Sequence, residues 1–199
     1  MQLTIPTSAG DALVEFDRPK GARLLVVLTH GAGGGVDTKD LLAVRSATLA
    51  LGGAVARVMQ PFRVAGARAP GSAVKQDAAW LEIVAALKRR VRGVPVVLGG
   101  RSNGARVACR TALDAKAAGV IALAFPLHPP GRPENSRADE LRAAGVEVVV
   151  LNGASDPFGI PDPADAAVVE VLPGETHSLN KSAKRIEEVV TPWLRRWTT

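Results

Sequence analysis

Six short apolar runs, separated by segments with helical periodicity, constrain the fold more than any other feature of this sequence. Runs with few polar interruptions are typical of strands that are buried on both faces of a sheet. They occupy residues 24–28, 54–59, 94–98, 120–125, 146–151 and 167–172. Because strands alternate with helices along the chain, the pattern predicts an α/β fold in which helices cover both faces of a mostly parallel sheet.

The helical segments and the N-terminal residues complete this prediction. Residues 73–92 carry one apolar stripe, and apolar residues recur at steps of four and three from Leu179 to Trp197, so a helix is predicted in each segment. Residues 2–16 look like an antiparallel strand pair that turns near Gly10. The length of 199 residues predicts one domain, residues 1–199, and no insertion is long enough for a separate lid domain.

The net charge of +6, from 25 Lys and Arg against 19 Asp and Glu, raises the question of a nucleic-acid partner. Much of the basic density, at residues 88–92 and 195–196, falls in the last turns of predicted helices, where exposed carbonyl groups favour cations. Four Phe, three Trp and no Tyr leave few aromatic rings for stacking on bases. We therefore expect no nucleic-acid partner and a small-molecule substrate instead.

The sequence also favours a cytoplasmic protein with no membrane contact. No stretch approaches the roughly 18 apolar residues that a membrane helix requires. The start of the sequence has neither a basic segment nor a long apolar one, so we expect no secretory signal. The single cysteine, Cys109, cannot form a disulfide within the chain and is expected to be a small buried apolar residue.

The strongest local signal is Gly100-Arg101-Ser102-Asn103-Gly104, which follows the apolar run 94–98 and opens a helical segment. G-x-S-x-G between a strand and a helix is typical of a nucleophile elbow. The backbone reverses so sharply there that side chains two residues before or after the serine would collide. The motif predicts that Ser102 is an exposed nucleophile; the alternative is an ordinary Gly-rich turn with a serine at the helix N-cap.

A nucleophilic serine needs a base and a carboxylate that orients the base. Of the three histidines, His177 follows a late carboxylate and so matches the chain order Ser, Asp, His. Asp156, in the turn after the run 146–151, is expected to hold His177, although Asp-Pro also starts ordinary turns. Asp162 and Asp165, a few residues farther along, are the alternative carboxylates.

The glycine-rich loop after the run 24–28 suits an oxyanion hole, because glycine lets backbone N–H groups approach a ligand. We assign the donors to the backbone N–H groups of Ala32 and Asn103. The alternative for the glycines is a flexible turn. Their spacing fails as a dinucleotide fingerprint at Val36, and the sequence has no Gly-Lys-Ser/Thr of a P-loop. We expect no cofactor and no metal.

Three further residues are candidates for lining a pocket at this site. His30 begins the glycine-rich loop, Arg101 precedes the nucleophile, and His128 lies just past the run 120–125. Arg101 could bind a substrate carboxylate or brace the elbow through a buried ion pair. We favour the brace, because guanidinium groups often satisfy loop carbonyls. A structural role between prolines is an equal alternative for His128.

With these features the chain resembles the α/β-hydrolase superfamily, in particular small dienelactone-hydrolase-like members of the KANL/Tex type. Five stretches carry the resemblance: residues 28–34, 99–106, 125–131, 152–159 and 174–178. It implies a catalytic triad of Ser102, Asp156 and His177. Asn103 departs from the group, in which Met is common at this place. The departure alters the pocket floor more than the mechanism, because the oxyanion donor is a backbone group.

These features together predict a serine hydrolase that cleaves a small ester-like substrate, an acyl ester or a lactone, through an acyl-enzyme intermediate. The site is expected to be open, with residues 60–71 and 126–135 at its rim. The alternative is a catalytically silent interaction module with the same fold, since some members of the group resemble scaffolds in assemblies.

Overall fold

The computed structural model describes residues 1–198, so residue 199, the last of the predicted domain, lies outside the described residues. An eight-stranded sheet has the order β1-β2-β4-β3-β5-β6-β7-β8. The strands are β1 (Gln2–Thr7), β2 (Gly10–Asp17), β3 (Leu25–Thr29), β4 (Ala54–Met59), β5 (Val96–Arg101), β6 (Gly119–Leu123), β7 (Glu147–Gly153) and β8 (Val168–Leu172). Strand β2 is antiparallel to both of its neighbours, β1 and β4, and all neighbouring strands from β4 to β8 are parallel. The predicted mostly parallel sheet is confirmed.

Helices cover both faces of this sheet, as predicted. They are α1 (Lys39–Ala50), α2 (Pro61–Val64), α3 (Ala73–Arg90), α4 (Asn103–Thr111), α5 (Ala138–Arg142) and α6 (Ala183–Arg195), with a short 3-10 helix at Pro163–Asp165. Within residues 1–198 these elements leave no separate lid domain. No helix in the described part of the chain combines the length and the apolar character that a bilayer crossing demands.

Two apolar cores lie on opposite faces of the sheet. One packs α3 and α4 against the sheet and centres on Trp80 of α3, which is fully buried. The other packs α1 and α6 together, with Leu41 and Ile186 among its fully buried members. All five residues of β3 are buried because both of its faces meet a helix layer, which explains the continuous apolar run in the sequence.

The prediction that the last helix begins at Leu179, where its apolar stripe begins, is wrong. Leu179 is fully buried, but its φ of 46° places it in a turn, and α6 begins only at Ala183. A buried residue in a turn continues the stripe without helical backbone, because periodicity reports burial rather than dihedral angles. Residues 60–71, which are predicted to lie at the rim of the site, contain the four-residue helix α2.

The strand order reverses between β3 and β5, which are parallel neighbours. The chain leaves β3 for β4 on one side and leaves β5 for β6 on the other side. In open parallel sheets a crevice forms where such connections diverge, beyond the carboxyl ends of the strands. The loops that follow β3 and β5 therefore flank the place where a ligand is expected.

Trp80→Ala tests the core that α3 closes. Removing this fully buried ring leaves a cavity, so we expect the free energy of unfolding to fall by about 3–5 kcal/mol. Val74→Ala on the same helix is the matched control, because Val74 is 79% exposed and should change stability by less than about 0.5 kcal/mol. Urea unfolding midpoints measure both, and equal midpoints for the two variants would contradict this packing.

Candidate active site

Ser102 is the single residue between the end of β5 and the start of α4. Its φ of 53° and ψ of −115° are strained values for a residue other than glycine. The Ser102 N–H donates a 2.8 Å hydrogen bond to the backbone oxygen of Leu123 in the neighbouring strand β6. This contact holds the reversal, so the strained conformation is fixed by the surrounding sheet.

The glycines on either side of Ser102 allow three backbone segments to meet. A Cβ at Gly100 would lie 2.6 Å from the carbonyl carbon of Gly104, and a Cβ at Gly104 would lie 2.6 Å from the backbone oxygen of Thr29. Both distances are too short for real atoms. Helix α4 therefore starts directly against the ends of β3 and β5, which is the close approach that the spacing of the motif predicts.

The structure brings Ser102, His177 and Asp156 together from the ends of three strands. His177 Nε2 lies 2.9 Å from Ser102 Oγ, and His177 Nδ1 lies 2.8 Å from Asp156 Oδ2. A carboxylate only accepts hydrogen bonds, so Nδ1 carries the proton and Nε2 is left to accept the Ser102 O–H. This tautomer is the one that a proton transfer from serine to histidine requires.

The Asp156 carboxylate is fully buried and held from two sides. Its Oδ1 accepts the Phe158 N–H at 2.9 Å, while Oδ2 faces His177. The Phe158 ring packs over the His177 imidazole, with centroids 4.3 Å apart and planes inclined by 33°. The imidazole is thus fixed by a hydrogen bond at its edge and by an aromatic ring against its face.

The two alternative carboxylates are engaged elsewhere. Asp165 pairs with Arg142 at 2.8 Å. Asp162 accepts the Ala164 N–H at 2.8 Å and caps the short 3-10 helix. Because Asp165 binds Arg142 of α5 and Asp162 binds its own loop, neither carboxylate orients His177 in this structure.

The glycine-rich loop after β3 lies next to the nucleophile. A Cβ at Gly31 would come within 3.3 Å of Ser102 Cβ, and the Gly34 N–H closes the loop on the Gly31 oxygen at 3.1 Å. Ala32 belongs to this loop, and Asn103 is the first residue of α4, where backbone N–H groups have no acceptor within the helix. The two predicted oxyanion donors therefore belong to the segments that flank Ser102.

A family model described as alpha/beta hydrolase domain matches residues 22–187. The chain belongs to this alpha/beta hydrolase family. The match includes the elbow, the glycine-rich loop and the turns that hold Asp156 and His177. No match was found among curated proteins.

Solved structures share the fold of this alpha/beta hydrolase at low sequence identity. An alpha-beta serine hydrolase homologue from Coxiella burnetii has a TM-score of 0.78 at 19% identity, over 98% of this chain and 97% of that one. XC6422 from Xanthomonas campestris, a serine hydrolase without lid, has a TM-score of 0.74 at 19% identity, over 100% and 94%. Est1E from Butyrivibrio proteoclasticus, solved with ferulic acid, has a TM-score of 0.77 at 16% identity, over 98% of each chain.

Arg101 of this hydrolase makes polar contacts on two sides. Its Nη2 donates to the backbone oxygen of His177 at 2.8 Å, and its Nε lies 3.0 Å from Oδ2 of Asp40 in the first turn of α1. Burial raises the pKa of the fully enclosed Asp40 carboxyl, and the positive charge of Arg101 counteracts that rise. These contacts favour the bracing role over the binding of a substrate carboxylate.

The prediction that His30 lines a pocket is wrong, because this side chain has no exposed surface. Its Nδ1–H donates to the Gly31 oxygen at 2.7 Å, and its Nε2 accepts the Gln60 N–H at 3.0 Å. Burial lowers the pKa of His30, which favours the neutral ring that this pairing needs. His30 therefore fixes the start of the glycine-rich loop from inside the protein.

His128 lies against the turn that carries Asp156. Its backbone N–H donates to the Phe158 oxygen at 2.9 Å, its Nδ1 lies 2.9 Å from the Pro129 oxygen, and its ring packs over Gly159. The side chain is half-buried. These contacts at the Asp156 turn favour the structural alternative for His128. Cys109 is buried as predicted, and burial raises the pKa of its thiol to about 12.

Asn152 is a site residue that the sequence interpretation missed. It is fully buried at the end of β7, where its Oδ1 accepts the Phe125 N–H at 2.8 Å. Its Nδ2 donates to the Gly159 oxygen at 3.2 Å and reaches Asp156 Oδ2 at 3.4 Å. The available signal was an amide side chain directly after a buried apolar strand, where a polar group needs partners inside the protein.

Gly104→Ala tests the close approach at the elbow. The new Cβ would overlap the backbone of β3, which cannot move aside cheaply, so we expect the free energy of unfolding to fall by about 3 kcal/mol. Gly33→Ala is the control, because a Cβ at Gly33 meets no atom within 4 Å among those described and should change stability by less than about 1 kcal/mol. Thermal unfolding of both variants measures this, and equal stability would contradict the crowding at Gly104.

Proposed function

We propose that this alpha/beta hydrolase is a serine esterase that cleaves a small ester or lactone by acyl transfer. The hydrogen-bonded line from Ser102 through His177 to Asp156 carries the proposal, with consecutive distances of 2.9 Å and 2.8 Å. A nucleophile bonded to a base, and a base bonded to a carboxylate, is the arrangement that activates an alcohol near neutral pH.

In the first half-reaction, Ser102 Oγ attacks the carbonyl carbon of the ester while its proton passes to His177 Nε2. The C=O electron pair moves onto oxygen, and the backbone N–H groups of Ala32 and Asn103 are assigned to stabilise that oxyanion. When the tetrahedral intermediate collapses, the carbon–oxygen bond to the leaving group breaks. His177 returns its proton to the departing alcohol, and an ester between the acyl group and Ser102 remains.

In the second half-reaction, water replaces the alcohol. His177 takes a proton from water as the water oxygen attacks the acyl carbon, and the second tetrahedral intermediate releases Ser102 with that proton restored. Throughout, Asp156 keeps the proton of His177 on Nδ1 and stabilises the transient imidazolium. The buried position of the carboxylate strengthens this effect, because its charge is poorly screened there.

The chemistry of the substrate is proposed from the site and from its relatives. Ser102 follows the carboxyl end of the interior strand β5, with no lid domain inside residues 1–198, which suits small or exposed esters. Structures of similar fold include esterases from Pyrobaculum calidifontis and Rhodothermus marinus. The dienelactone-hydrolase-like subtype, indicated by the resemblance of residues 125–131, is part of this proposal.

Ser102→Ala should abolish most turnover of p-nitrophenyl acetate. A functional Ser-His-Asp arrangement loses on the order of 10⁶ in kcat without its nucleophile, with residual catalysis from the oxyanion donors. Ser46→Ala, an exposed serine on α1, is the matched control and should retain full turnover. Equal rates for wild type and Ser102→Ala would reject Ser102 as the nucleophile.

A fluorophosphonate probe separates this function from a silent interaction module. The probe labels an activated serine covalently, so we expect one adduct on wild type that maps to Ser102, and none on Ser102→Ala. If folded wild-type protein takes up no probe, the interaction module becomes the better description of the chain.

Asp156→Asn should lower kcat by about 10⁴, because an amide cannot hold the same tautomer of His177 or stabilise its charged form. Asp162→Asn, a change in an exposed carboxylate on the same loop, should leave kcat near the wild-type value. Steady-state kinetics of both variants decide between the two carboxylates. A large loss in Asp162→Asn with little loss in Asp156→Asn would reverse the assignment.

A further inference from the structure

A buried ion pair beside the nucleophile has no part in the proton transfers described above. The Asp40 side chain is fully enclosed, and the Arg101 side chain is 16% exposed. Burying two charges costs free energy that the pair must recover from good geometry and further hydrogen bonds. Because the Asp40–Arg101 pair lies next to Ser102, we consider which segments of the site it holds in place.

The Arg101 guanidinium connects three segments that build the site. Its Nε lies 3.0 Å from Oδ2 of Asp40, the second residue of α1. Its Nη2 donates to the backbone oxygen of His177 at 2.8 Å. Arg101 itself ends β5, one residue before Ser102. One planar group on the elbow thus contacts both the segment of the base and the start of α1.

The contact with Asp40 depends on charge rather than on an aligned hydrogen bond. Within residues 1–198 neither Arg101 Nε nor Asp40 Oδ2 has a hydrogen-bond partner of good geometry, although the two atoms are within ion-pair distance. In a poorly screened interior, attraction at this distance is still strong. Asp40 therefore balances and orients the guanidinium while Nη2 makes the directional contact.

The segment that carries His177 is irregular, and its contacts with other segments include the Ser155 N–H on the Glu175 oxygen and Arg101 on the His177 oxygen. Between the end of β8 at Leu172 and the start of α6, the backbone turns at Gly174 with φ 71° and at Leu179 with φ 46°. The His177 imidazole must stay within hydrogen-bond distance of both Ser102 and Asp156. A displacement of about 1 Å at such a group can cost on the order of 100-fold in rate.

We propose that Asp40 and Arg101 are positioning residues for His177, with Arg101 holding the His177 backbone and Asp40 holding Arg101. The proposal rests on the proposed esterase function, since its value to the protein lies in keeping the base aligned with Ser102. It also explains why arginine stands at this place. Lysine is a point charge that can face Asp40 or reach the His177 oxygen, but it has no fork to do both.

The test compares Asp40→Leu, Arg101→Met, the Asp40→Leu/Arg101→Met double variant and Arg101→Lys. Each single truncation leaves one buried charge without its partner, so we expect Tm to fall by roughly 10 °C. The double variant removes both charges and should recover most of that Tm loss. The Asp17→Leu/Arg45→Met double variant removes another pair involving α1, on a different strand, and is the matched control with wild-type turnover.

Turnover separates positioning from a purely structural role. We expect kcat for p-nitrophenyl acetate to fall about 10–100-fold in the Asp40→Leu/Arg101→Met variant despite its recovered Tm, with KM nearly unchanged. Arg101→Lys should fold with a Tm close to that of wild type and still lose at least about 10-fold in kcat. Wild-type kcat in both of these variants would overturn the proposal.

A second readout does not depend on turnover. The His177 Nδ1 proton that bonds to Asp156 is expected as a downfield signal in the proton NMR spectrum of wild type, assigned by its loss in His177→Gln. The signal should broaden or vanish in Arg101→Lys and persist in the Asp17→Leu/Arg45→Met control. An unchanged signal in Arg101→Lys overturns the positioning role even if Ser102→Ala proves that the esterase proposal itself is wrong.

Discussion

The sharp backbone reversal at Ser102 is the constraint on which the rest of this structure depends. For the chain to turn within one residue, α4 must start against the ends of β3 and β5, and the glycines at 100 and 104 leave room for that contact. The reversal costs strain at Ser102, which the hydrogen bond to β6 and the flanking strands sustain. The serine hydroxyl is thereby presented at the carboxyl edge of the sheet, where the loops of other strands can reach it.

Around Ser102, buried polar side chains fix the positions of the loops through hydrogen bonds to loop backbone groups. His30 fixes the glycine-rich loop, and Asn152 joins the segment after β6 to the Asp156 turn. A polar group enclosed in a protein is costly unless its hydrogen bonds are satisfied, so each such group specifies the position of its partner. Loops without regular structure acquire fixed positions at this edge because their backbone groups meet these side chains.

The fold and the activity rest on different observations. The family match establishes an alpha/beta hydrolase, and the solved structures share its fold at 19% identity. One fold serves many chemistries, so the function has to be argued from the site. Here the argument is the geometry at His177, which joins a hydroxyl and a carboxylate through opposite nitrogens of one ring. The proposed esterase activity depends on these two contacts of the His177 imidazole.

The sequence alone determined the alternation of strands and helices, the elbow, and the order of Ser102, Asp156 and His177, because these follow from local periodicity, local sterics and strand-end loops. It did not determine the start of α6, since Leu179 is buried in a turn and periodicity cannot tell a turn from a helix. Only the tertiary structure decided that His30 is enclosed and that Asp40 and Asn152 belong to the site. Those placements depend on which distant segments meet at the sheet edge, and a buried polar residue takes its role from the partner it meets there.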